Sequence, residues 1–159
     1  MVTSMCHAQY SNHQLYEAYI TRDMSVWEQY IDSADWENMN LEQRKQLLNY
    51  EYGFSAYMLG INVEKGKKLI QRFATHLETM KDELPEERYC AYLASVYTYQ
   101  LALDKSQLMK YAKGIYSNIE RAMELNANDP FVLSMQGNVE FYSPFGSKKT
   151  ALAYFQKAD

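Results

Sequence analysis

The chain is short of residues that punctuate structure, with 6 glycines and 3 prolines in 159 residues. So little turn material, beside many long side chains, favours an all-helical fold. Cationic excess is missing too: a formal charge of −4 argues against a nucleic-acid binder, because nothing is left over to neutralise phosphates. The one lysine cluster, Lys65, Lys67 and Lys68, is offset by Glu64, Glu78, Asp82 and Glu83. Its sequence EKGKK lacks the upstream glycine and following Ser/Thr of a phosphate loop. No run of about 18 apolar residues exists, so no membrane span is expected. The nearest stretch, YCAYLASVYTYQLAL at 89–103, is uncharged but rich in Tyr, Ser, Thr and Gln. It reads as a helix packed on most sides at the middle of the fold.

Groups for chemistry are equally sparse. His7, His13 and His76 are scattered without metal-ligand spacing, and no HExxH or paired cysteines occur, so no metal or cofactor is expected. No Gly-x-Ser-x-Gly turn is present, and the carboxylates fall on polar faces and helix starts, so no catalytic residues are assigned and no enzyme is expected. Of the two cysteines, Cys90 reads as a small buried hydrophobe and Cys6 lies in MVTSMCHAQ, residues 1–9. That segment resembles the tail of a secretory signal peptide, with Ala8 and Cys6 as small residues before a possible cleavage point, or a disordered N-terminus. An exported or periplasmic protein is the corresponding expectation, with a cytoplasmic one as the alternative.

What is abundant is helical periodicity. Leu69, Ile70, Phe73, Leu77 and Met80 form one stripe at steps of three and four, and Leu108, Ala112, Ile115, Ile119 and Ala122 form another. Short breaks separate such stripes at LGINVEKG, DELPEE, LDKSQ, NANDP and YSPFGS. They are short enough to turn each helix back on the last. Pro85 and Pro130 suit helix starts, as do the acids beside them. The resulting single domain, 10–159, holds four helical hairpins: 10–21 with 23–36, 40–59 with 62–82, 85–103 with 105–125, and 130–142 with 147–158. From the second hairpin on, first helices recur every 45 residues and second helices every 42 or 43, the sign of an α-solenoid.

The last unit resembles a tetratricopeptide repeat (TPR). Leu133 and Gly137 match the bulky residue and the glycine of the first helix, and Ala151, Phe155 and Ala158 match the alanine, aromatic and alanine of the second. Ala122 matches the closing alanine of the preceding repeat, whereas Gln136, Glu140 and Ala127 depart from the pattern. Gly53 and Gly66 carry a fainter match in the second hairpin. The resemblance implies a right-handed superhelix of about four hairpins whose first helices line a concave face. Small residues such as Gly137 would mark where helices touch.

Tyrosine is the other excess, at 15 residues, and it crowds the expected first helices. Such rings either fill the space between hairpins or offer contact area to a partner. By alignment to the motif, the groove-facing positions are Leu47, Tyr50, Phe54 and Tyr57, then Tyr89, Leu93 and Val96, then Phe131, Ser134, Asn138 and Phe141. The expected function is a non-enzymatic protein-protein interaction scaffold that grips a peptide or partner segment there. The alternative is a small-molecule carrier or accessory subunit with an aromatic-lined pocket. Trp27 and Trp36 would seal the N-terminal end, and the C-terminal hairpin would self-associate weakly.

Overall fold

A computed structural model of the chain describes residues 10–143 and 146–159. The reading of MVTSMCHAQ, with Cys6, His7 and Ala8, lies outside the described residues, as do Pro144 and Phe145 of the YSPFGS turn. Among those described, the chain is all-helical, with eight α-helices and no strand: α1 Asn12–Thr21, α2 Ser25–Ser33, α3 Leu41–Leu59, α4 Val63–Thr79, α5 Glu86–Leu103, α6 Leu108–Asn126, α7 Pro130–Tyr142 and α8 Lys148–Ala158. None of these is long and apolar enough to cross a membrane.

Local chemistry sets where the helices begin. Ser11 accepts from the Gln14 amide while Gln14 Oε1 accepts from the Ser11 amide, and Asn40 and Gln43 repeat the exchange at α3. Asp129 accepts from the amides of Phe131 and Val132, with Pro130 at the first helical position, so NANDP both ends α6 and starts α7. Pro85 immediately precedes α5. Several expected helices come out shorter, with 62–82 ending at Thr79, and two of them for clear local reasons. The span 23–36 stops at Ser33, because Ala34 is extended and Trp36 starts a 3₁₀ turn, Trp36–Asn38, while its ring docks on α4. The span 105–125 opens on a 3₁₀ turn, Lys105–Gln107, where Asp104 accepts from both the amide and the hydroxyl of Ser106.

Three antiparallel hairpins, α3/α4, α5/α6 and α7/α8, carry most of the helix contacts, and α4 meets α5 as α6 meets α7. The first helices are also neighbours, α3 against α5 and α5 against α7. The N-terminal pair joins through α2 on α3. There Trp27 donates from Nε1 to the Leu15 carbonyl, stacks on Tyr19 and meets Tyr50 edge-on, so one indole ties α1, α2 and α3 together.

Burial follows the stripes. One core runs through Leu48, Phe73, Leu77, Met80, Ile119 and Val132, and a second through Met24, Ile31, Leu47, Phe54, Met58 and Leu69. The uncharged stretch 89–103 of α5 lies at the centre of the larger core, with Tyr89, Cys90, Ala91, Tyr92, Ala94, Ser95, Val96 and Tyr99 all buried. Gly137 is where α7 meets α8: a β-carbon built there would lie 2.6 Å from the Phe155 ring. Gly114 does the same on α6, where a β-carbon would lie 2.7 Å from the Tyr97 ring of α5.

Candidate functional site

The tyrosine-rich first helices build an aromatic cluster in which each ring is positioned by its neighbours. Tyr52 of α3 packs on Phe73, Tyr92, Tyr99 and Phe131, with centroids 5.9 to 6.3 Å apart. Tyr92 also lies 4.5 Å from Phe131. The hydroxyls are tied down: Tyr92 donates to Asn49 Oδ1 at 3.3 Å, Tyr99 to the Tyr52 carbonyl at 3.1 Å, and Tyr89 to Glu78 at 2.9 Å. Burial pushes the Tyr52 and Tyr92 phenols up and the Tyr99 phenol well up, so all three stay neutral.

Beside this cluster the packing leaves a half-open hollow of about 430 Å³ between α3, α5, α6 and α7. From α3 come Tyr52, Ala56 and Leu59, and from α5 the small residues Ala91, Ala94, Ser95 and Thr98 with Tyr99 and Leu101. Leu108, Ala112, Ile115 and Tyr116 line it from α6, and Met135, Asn138, Val139 and Tyr142 from α7, with Ser143 just beyond. The void exists because α5 presents small side chains where a packed helix would present large ones. Its chemistry is dispersion and apolar burial with a few hydroxyl and amide groups.

The expected groove residues are distributed unevenly around this site. Asn138 is the one that lines the hollow, where its Nδ2 donates to the Tyr52 hydroxyl. Leu47 and Phe54 are sealed in the smaller core between α2 and α4, and Val96 is buried in the larger one, so these three present no surface in this conformation. Tyr50 is half-buried against Trp27 and Tyr30, and Tyr89 is buried with its hydroxyl on Glu78. Burial first, then Glu78, holds the Tyr89 phenol up at about 12. Leu93 and Ser134 are half-buried. Phe131 is half-buried within the aromatic cluster, with the Arg88 guanidinium 5.7 Å over its ring. Tyr57 and Phe141 are the exposed aromatics of the set, Tyr57 stacked on Phe54 and Phe141 edge-on to Tyr142.

A second polar cluster is buried in the second hairpin. The Glu51 carboxylate is fully buried and accepts from Arg72 Nε at 2.7 Å, while His76 Nδ1 lies 2.9 Å from its other oxygen. Arg72 also donates to the Ile31 carbonyl, and Trp36 covers the imidazole. These contacts pin α2 and the Trp36 turn to α3 and α4. Cys90 is buried and its thiol is pushed up by burial, then by Glu86, away from the thiolate form. Among the described residues no group of three or more His, Cys, Asp or Glu could hold a metal ion.

Compared with protein-family models, curated proteins and solved structures, the chain matches none of them.

Proposed function

We propose that the chain is a non-enzymatic binding module that holds a small, mainly apolar molecule in the hollow between α3, α5, α6 and α7. The observation that carries this reading is the hollow itself. Its volume of about 430 Å³ falls within the range typical of small-molecule sites, and three hairpins wall it. We further propose that the hairpins form a TPR-like right-handed α-solenoid. The near-constant period, the neighbouring first helices and the Gly137 contact with Phe155 support that arrangement.

A peptide or partner segment laid across the first helices is the second reading. It is favoured by Phe141 and Tyr142, exposed aromatics at the end of α7, of which Tyr142 also lines the hollow. Titration with the neutral fluorophore N-phenyl-1-naphthylamine separates the two. Saturable binding at one site per chain, weakened at least about tenfold by Ala112→Phe, is expected of a ligand hollow. Binding that never saturates, or that ignores Ala112→Phe in a variant with a wild-type melting temperature, removes the small-molecule reading.

A further inference from the structure

If the hollow holds a small molecule, its lining narrows the chemistry of that molecule. None of the lining residues is Lys, Arg, His, Asp or Glu. An ionised ligand would therefore leave water without a counter-charge to meet it, which is costly.

The polar atoms present are mostly engaged already. Ser95 donates to the Ala91 carbonyl and lies 3.3 Å from Met135 Sδ, Thr98 donates to the Ala94 carbonyl, and Tyr116 bonds Ser143. Tyr142 is largely exposed to water, so among the less exposed groups the pair Tyr52 and Asn138 differs. The Tyr52 hydroxyl oxygen accepts from Asn138 Nδ2 at 3.4 Å and faces the Tyr99 phenol as an acceptor, which leaves the Tyr52 proton and Asn138 Oδ1 to spare.

Shape adds a third restriction. Lining residues run along α5 from Ala91 to Leu101 and along α7 from Met135 to Tyr142, or about 15 and 10 Å at the helical rise.

We infer that the ligand is an uncharged, elongated, mainly apolar molecule with a single hydroxyl- or carbonyl-type end that hydrogen-bonds to Tyr52 and Asn138. A hydroxyl suits the pair because it can accept from the phenol and donate to the amide oxygen. The inference rests on the small-molecule reading of the hollow, and extends it to charge, length and orientation.

The test is displacement of N-phenyl-1-naphthylamine by two probes of one chain length, 1-decanol and decanoate, at about pH 8 where the latter is ionised. Decanoate should compete at least about tenfold more weakly than 1-decanol. Equal competition overturns the inference about charge while leaving the hollow as a ligand site. Asn138→Leu should weaken 1-decanol about five- to tenfold, the usual worth of one hydrogen bond. Unchanged 1-decanol binding in that variant overturns the assignment of the polar end. Failure of the fluorophore itself to bind saturably would sink the underlying reading instead.

Discussion

The imidazole of His76 lies flat on the indole of Trp36, with ring centroids 3.8 Å apart and planes 2° from parallel, while its Nδ1 reaches the buried carboxylate of Glu51. Trp36 thereby covers the polar cluster on one side, and Arg72 closes it on another. Glu51→Ala would leave Arg72 and His76 facing each other across a cavity. Because the Arg72 left behind is about a third exposed and still faces Asp32, we expect a loss of about 2–3 kcal/mol, less than for a fully buried ion pair. Urea unfolding checks this, and a loss no larger than that of an exposed substitution would mean the cluster does not hold the hairpin together.

Gly137 and Phe155 give a cleaner packing test, because the contact is between one missing β-carbon and one ring. Gly137→Leu should be strongly destabilising, and Gly137→Ala should cost about 1–3 kcal/mol through overpacking. Part of that cost should vanish in the background Phe155→Ala, where the ring is gone. A double-mutant cycle with no coupling would show that α7 and α8 do not meet there.

The positions of the helices were legible because their signals are local. Pro85, Asp129 with Pro130, and the apolar stripes each act within a turn or two of helix. The hollow was not legible, because a void depends on the relative phase of four helices. Ala91, Ala94, Ser95 and Thr98 read simply as small residues on a buried helix, and their clustering along α5 was the one available signal. Leu47 and Phe54 were placed in a groove by motif alignment alone. Their face of α3 is taken up by α2 and α4, a tertiary pairing that helical period cannot report. The end of α2 escaped for a similar reason, since Trp36 leaves the helix to stack on a residue far along the chain.

Arg22 closes α1 in the left-handed region, at φ 61° and ψ 22°, with the amides of Arg22 and Asp23 returning to Tyr19 and Ala18. A side chain there costs about 1 kcal/mol that glycine would not incur, offset in part by glycine's greater freedom when unfolded. Arg22→Gly should therefore raise stability by a few tenths to about 1 kcal/mol. A lower melting temperature would show that the Arg22 side chain makes a compensating contact.

Alkaline pH should unfold the protein through its tyrosines. Burial, then Tyr50 and Glu51, holds the Tyr30 phenol up at about 12, as burial and Glu78 do for Tyr89, and burial raises Tyr52, Tyr92 and Tyr99 as well. The fold keeps these protons after the unfolded chain, titrating near 10.0, has released them. Stability is thus complete below about pH 10 and falls as pH rises towards the folded values. The urea midpoint should drop between about pH 8 and about pH 11, with part of the phenolate absorbance appearing only as the chain unfolds. A constant midpoint over that interval would contradict the burial of these rings.

Filling the hollow should stabilise the chain while removing its capacity to bind. Ala112 lines the hollow from α6, and Ala112→Leu adds apolar atoms to space that the fold already encloses in part. Because the hollow is half-open, the new side chain loses only part of its water contact, and the gain should be about 0.5–1.5 kcal/mol. The same substitution should weaken N-phenyl-1-naphthylamine binding. Opposite signs for stability and binding mark a site kept open at some cost to the fold. If Ala112→Leu destabilised the chain, the space between α5, α6 and α7 would be already filled, and the candidate site would lose its physical basis.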